Sequence, residues 1–347
     1  MNKLLKFFTA AFILGISCKG PEITGGNIHL QEGRPDRAIE QYKKSIEKEP
    51  NNTTPVVGVS VASYMKKAYK DAVLYLEKAI DMDKEKTEKD LRDYEKLLNT
   101  KYLKWQIYYN GAVENYNENP NKGIELAKKS LDVSDPEKVS LSYCLLGRMV
   151  LNMGKVDEAE KYYEEAIKVY KNNVEPYIYL GRYYLTTKET EKALKYFNEA
   201  LKVDSTKVEV YELIGQAYLL KKDYKGAIKS LEGALKVIGE KPTIFYNLMV
   251  AHYESENYDE GIKNGKKVIE KGGVDPTVLN NTYNLIGQMY IKKNEYKEAI
   301  NLMKECIDKG INDCNAYSLM AQAYYKLGQI KESSLWSKKW EECEKNK

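Results

Sequence analysis

The sequence predicts an all-α protein in which antiparallel helix pairs repeat along the chain as an open solenoid of about nine units. Three observations predict it: one small residue that returns at a constant interval, small and large side chains that recur in phase with it, and a composition suited to much exposed surface. Hydrophobic residues make up 43% of the 347 residues and charged residues 31%, as a thin stack of amphipathic helices requires. The 9 prolines and 22 glycines are too few for a disordered chain.

Gly147, Gly181 and Gly215 stand 34 residues apart, and the next interval reaches Met249; after four extra residues come Gly287 and, 34 further on, Ala321. A large apolar residue precedes each: Leu146, Leu180, Ile214, Leu248, Ile286 and Met320. Small residues follow in phase at Ala159, Ala193, Ala227, Gly261 and Ala299, and again at Ala166, Ala200 and Ala234, where Val268 and Cys306 continue the series. Tyr163, Phe197, Leu231 and Met303 lie between them. Two helices that cross closely need this alternation, because a small side chain on one admits a ridge of the other.

The pattern resembles the tetratricopeptide repeat, a 34-residue helix-turn-helix unit with L-G-x-x-Y, then A-x-x-x-F, then a small residue. Leu180 to Lys202 (LGRYYLTTKETEKALKYFNEALK) is a near-consensus copy. Gly26, Ala38, Tyr42 and Pro50 fit a first unit, Ala72, Leu76 and Ala79 a second, and Gly111, Gly123, Ala127 and Ser130 a third. Units are thus expected to start at 19, 53, 104, 140, 174, 208, 242, 280 and 314. The resemblance implies a right-handed superhelix whose concave wall is lined by the first helix of each unit and receives a peptide from another protein.

Residues 1–17 read as a signal peptide, 18–86 as two N-terminal units, 87–103 as an insertion and 104–347 as seven further units. The insertion is charged yet periodic, with Leu91, Tyr94, Leu97 and Leu98, and is expected to be helical. It either extends the first helix of the third unit backwards or forms a separate helix at a joint, with a bend nearby. At the end, Ser333, Ser337 and Trp340 replace the small, aromatic and small residues of the other units. That helix is expected to cap the stack.

Lys3 and Lys6 precede an apolar run from Phe7 to Ile16, the pattern of a secretory leader and too short to cross a membrane stably. Leu14 to Cys18 resembles a bacterial lipobox, with Gly15 where leucine is usual; a plain cleavage site after Gly15 and Ser17 is the alternative. The resemblance implies lipidation of Cys18, export and anchoring to a membrane of the cell envelope, two acyl chains being what stable anchoring needs. Cys144, Cys306, Cys314 and Cys343 are too few and scattered for a disulfide framework. Cys306 and Cys314 flank a predicted turn, where a bridge or two buried thiols both fit.

Lys and Arg total 55 against 51 Asp and Glu, interspersed along the helices with no basic stripe, so no concentrated field exists for a nucleic acid. The only histidines are His29 and His252, in distant units, so no two-histidine metal site or histidine triad is expected. No cofactor and no enzymatic activity are expected.

By register, the inner wall is expected to carry Arg148, Arg182, Gln216, Gln288 and Gln322, with Asn281, Asn284 and Asn315 nearby and Tyr246, Tyr253 and Tyr325 as aromatic surface. Amides and guanidinium groups can bond a peptide main chain or a carboxylate. The clamp by which some family members grip a C-terminal carboxylate is not matched, its places holding Cys144, Ile178 and Arg148. These features point to a lipid-anchored envelope adaptor that binds protein or peptide partners. An envelope polysaccharide-binding protein or enzyme using the aromatic groove, and a structural spacer, are the competing readings. Most of the 30 tyrosines fall where a ring packs and its hydroxyl reaches water.

Overall fold

The computed structural model describes residues 20–311 and 314–345, so the leader and Cys18 lie outside the described residues. Those described form helices and turns, in two compact units that divide at Pro176 and Tyr177. The first unit holds α1 (Pro21–Gln31), α2 (Pro35–Lys48), α3 (Thr53–Met65), α4 (Tyr69–Met82), α5 (Lys84–Leu97), α6 (Leu103–Tyr116), α7 (Pro120–Lys129), α8 (Pro136–Asn152) and α9 (Val156–Val169). The boundary falls within α10 (Glu175–Thr186). The second unit continues with α11 (Thr190–Val203), α12 (Val208–Leu220), α13 (Tyr224–Ile238), α14 (Pro242–Glu254), α15 (Tyr258–Lys271), α16 (Pro276–Lys292), α17 (Tyr296–Asp308), α18 (Cys314–Lys326) and α19 (Ile330–Lys345).

Local chemistry sets the helix ends. Proline opens α1, α2, α7, α8, α14 and α16, where its missing N–H costs nothing. Asn52, Asp83, Asn119, Asp135, Asp223 and Asp275 cap the helices that follow them through side-chain oxygens. The turn inside a pair uses one left-handed residue at the same place: Gly33, Lys67, Gly154, Lys188, Lys222, Glu256, Asn294 and Gly328. The next N–H then reaches back to a carbonyl of the first helix, as from Asp223 to Tyr218 at 2.9 Å and from Glu295 to Tyr290 at 2.9 Å, closing the helix end.

Between paired helices the expected size complementarity is present. A Cβ added at Gly147 would lie 2.7 Å from Tyr163 Cε1, and one added at Gly26 or Gly181 would overlap the ring of Tyr42 or Phe197. In the pair α14 and α15 the sizes are exchanged: Met249 is the large member, and a Cβ at Gly265 would lie 2.7 Å from its Sδ. Tyr42, Tyr163, Phe197 and Phe245 are among the largest fully buried side chains. Successive first helices touch within each unit, α1 with α3, α3 with α6 and α6 with α8, then α12 with α14, α14 with α16 and α16 with α18. The first-helix side is therefore the narrower wall.

The third pair departs from the spacing. Gly111 faces Val73 of α4, and it is Ala112 whose carbonyl stands over Gly123, so α6 sits one residue later than the spacing implies. The insertion is a separate helix, α5, wholly inside the first unit and packed on α3, α4 and α6. Its Asp90, 2% exposed, accepts hydrogen bonds from Thr53 Oγ1 (3.1 Å), Thr54 Oγ1 (2.9 Å) and Lys86 Nζ. A carboxylate is thus held at the N-terminus of α3, where the backbone dipole favours it. Tyr94 packs edge-on against Tyr42 at 6.2 Å and donates to the Thr54 carbonyl at 3.3 Å; burial pushes its phenol well above the usual range.

The cysteines correct one expectation. Cys306 and Cys314 are not bridged; Cys314 is joined to Cys343, with Cα atoms 5.6 Å apart, and Cys306 is a buried thiol. Antiparallel pairing returns the end of α19 to the start of α18, whereas residues on either side of a turn point into different helix interfaces. The terminal helix needs this tie. Ser333 is its one buried residue, donating to the Ala321 carbonyl at 2.9 Å, while Ile330, Leu335 and Trp340 are exposed. Closing a loop of 29 residues is worth about 3–4 kcal/mol on a chain-entropy account. Cys343→Ser is therefore expected to speed amide exchange selectively across 330–345, measured by hydrogen-deuterium exchange, with α12 to α15 unchanged.

Candidate functional site: the first-helix wall

The polar residues expected on the inner wall all lie in first helices. Arg148 is exposed on α8 in the first unit; the others belong to the second. Arg182, Gln216, Asn281, Asn315 and Gln322 are exposed, Tyr325 is 63% exposed, and Tyr246, Tyr253 and Gln288 are half-buried. Asn284 is buried instead, its Nδ2 lying 3.4 Å from Asn280 Oδ1.

Two contacts run along the wall between neighbouring pairs. Tyr253 donates to Gln288 Oε1 at 2.9 Å, joining α14 to α16. Arg182 pairs with Glu209 of α12, both side chains about half exposed, an arrangement worth at most about 1 kcal/mol in water. Glu209 was not picked out by the repeat alignment. Its signal was present in the sequence: the spacing of Arg182 to Glu209 is repeated by Arg148 to Glu175. With the guanidinium group already beside a carboxylate, this stretch of wall offers amides, hydroxyls and aromatic faces more than net charge.

Models of the tetratricopeptide repeat match residues 23–86, 144–208 and 180–243, and a second such model matches 281–308, together more than half of the chain. The chain belongs to the tetratricopeptide-repeat family. Repeats of this family form scaffolds that bind proteins and peptides and are generally not enzymes. Solved structures similar to this tetratricopeptide-repeat protein include a tetratricopeptide repeat protein from Parabacteroides merdae ATCC 43184, at 18% identity, covering 70% of this chain and 94% of that one with a TM-score of 0.48. Another is pilF of Pseudomonas aeruginosa, at 15% identity, 63% of this chain and 97% of that one, TM-score 0.48. YrrB, described as a TPR protein with an unusual peptide-binding site, is 20% identical over 52% of this chain and 91% of its own, TM-score 0.44. Likeness at these identities concerns the fold alone. No curated protein matches the chain.

One wall-bearing helix carries an exception to the repeat. His252 occupies the place held by Tyr184, Tyr218, Tyr290 and Tyr324 in other units. It is 6% exposed, its Nδ1 has no hydrogen-bond partner among the described residues, and burial holds its pKa below the ordinary value. Below a pH of about 6.5 the unfolded imidazole takes up a proton that the folded one resists. Stability of the second unit contributed by neutral His252 is thus present above that pH and lost as pH falls towards the lower folded pKa. Urea midpoints at pH 7.5 and 5.5 are expected to differ more for the natural chain than for His252→Tyr, whose side chain does not titrate in this range.

Proposed function

We propose that the chain is an adaptor of the bacterial cell envelope, exported and tied to a membrane by lipid at Cys18, which holds partner proteins by a peptide segment laid along its first-helix wall. The observation that carries this reading is the exposure of Arg182, Gln216, Gln322 and Tyr325 on the narrower side of the second unit. Each amide offers both donors and an acceptor to a peptide main chain, and tyrosine supplies apolar contact area with a polar tip. The Tyr253 to Gln288 hydrogen bond fixes two of these groups before a ligand arrives, which lowers the ordering cost of binding.

Export is supported by the lipobox-like stretch at Leu14 to Cys18 and by the Cys314 to Cys343 bond, since structural disulfides persist in oxidising compartments. No described helix is long and apolar enough to cross a membrane, and the anchor in this reading is the lipid at Cys18. The wall's nearly balanced charge favours a partner recognised through its main chain and apolar side chains.

The reading makes two predictions. A pull-down from detergent-solubilised envelope is expected to recover a stoichiometric protein partner with the natural chain and to lose it with Arg182→Glu combined with Gln216→Glu; equal recovery by the variant would remove the wall from the account. Cys18→Ser is expected to shift the chain from the membrane to the soluble fraction and to change its mature mass. An unchanged mass and partition would refute the anchor.

A further inference from the structure

The first-helix wall changes its chemistry along the second unit. Arg182 of α10 pairs with Glu209 of α12, 27 residues further on, and the same spacing near the end of the chain falls on Gln288 of α16 and Asn315 of α18. Amides stand where the earlier units hold ions.

The change extends over three helices. No Asp, Glu, Lys or Arg occurs between Pro242 and Tyr253 of α14, Pro276 and Ile291 of α16, or Cys314 and Tyr325 of α18, although 31% of the chain is charged. Charge returns only at the last residue of each helix, as Glu254, Lys292 and Lys326. The helices paired with them are not neutral: half of the 14 residues of α15 are charged. Because α14 touches α16 and α16 touches α18, the neutral strips form one surface inside the second unit. Asn281, Asn315, Gln322 and Tyr325 are exposed on it, and Tyr253 holds the half-buried Gln288 through its 2.9 Å hydrogen bond.

What such a surface admits follows from what it does not offer. A charged side chain laid on it gives up water and gains no counter-ion, a cost that neutral amides only partly offset. A peptide main chain suffers no such loss, because its N–H and C=O groups meet the donors and the acceptor of each amide. An uncharged glycan stacks on open aromatic faces instead. Tyr246 and Tyr253 are half-buried and packed against the core, and of the wall's candidate tyrosines only Tyr325 is mostly exposed, at 63%.

On the peptide-wall reading above, we infer that α14, α16 and α18 select a partner segment without charged side chains. Asn281, Gln288, Asn315 and Gln322 hold its main chain extended, and Tyr325 gives it apolar contact. Neighbouring helix axes lie about 8–10 Å apart, so three helices span about 16–20 Å, the reach of about five or six extended residues.

The test is selection of a random dodecapeptide phage library on the full chain. Enriched segments are expected to carry fewer Asp, Glu, Lys and Arg than the unselected library over a window of about six residues. Asn281→Asp with Gln322→Glu keeps the shape of two exposed side chains, so helicity by circular dichroism should not change. That variant is expected to turn the selection towards Lys or Arg, and to bind the best neutral peptide about tenfold more weakly, as donors are lost. Affinity of this peptide for the natural chain should change less than about twofold between low and high salt, there being no ion pair to screen. Charged segments enriched by the natural chain, a selection unmoved by the double variant, or a steep loss of affinity with salt would overturn the inference. If charged segments were enriched and then lost with Arg182→Glu, the peptide-wall reading would still stand. Competition by chitohexaose as strong as that by unlabelled peptide would overturn the inference in favour of a glycan, and absence of any enriched segment would overturn both readings.

Discussion

The structure depends on the close approach of the two helices in each pair, which is possible only where a missing side chain on one meets a large one on the other. Gly26 with Tyr42, Gly147 with Tyr163 and Gly181 with Phe197 are the same contact made three times. The reversed pair Met249 and Gly265 shows that what matters is the summed size across the interface, not which helix supplies the bulk. Each pair closed in this way still exposes an apolar face, and only the next pair covers it, so the chain grows as a row of neighbours. The narrower first-helix wall is a by-product of that growth. On it Gln216, Gln322 and Tyr325 are exposed, whereas Tyr246 and Tyr253 also pack against the core.

Departures from the repeat are covered locally. The inserted helix α5 brings a buried carboxylate, Asp90, but supplies it with two threonine hydroxyls and a lysine, meeting the demand that a buried charge be hydrogen-bonded. The last described helix, α19, buries little and is tied back to the start of α18 by the Cys314 to Cys343 bond. His252, by contrast, is left without a compensating partner at Nδ1, and its neutrality is what the surroundings require.

Most of this architecture was legible in the sequence because its cause is periodic. A residue pair such as Gly181 and Phe197 imposes the same geometry in each unit, and the spacing alone locates helices, turns and the first-helix wall. What could not be read is aperiodic. The third unit breaks register by one residue at its turn, which lacks the left-handed residue of the other pairs, and Gly111 faces Val73. The pairing of Cys314 with Cys343 depends on how far α19 runs back along α18, which no spacing rule states. Of the candidate wall residues, Asn284 is buried: it stands at the repeat place of Cys144 and Ile178, which are buried as well, on the edge of the face that turns into the stack.

The most direct test of size complementarity is a double-mutant cycle at Gly181 and Phe197, followed by urea unfolding. Gly181→Ala should lower stability by about 1–3 kcal/mol through overpacking, against the gain of up to about 1 kcal/mol that alanine brings to a helix. With Phe197→Leu already in place, the same change should be neutral or stabilising, because the ring that it strikes is gone. An equal loss in both backgrounds would mean that the two residues do not sense each other, and that helix pairing here rests on something else.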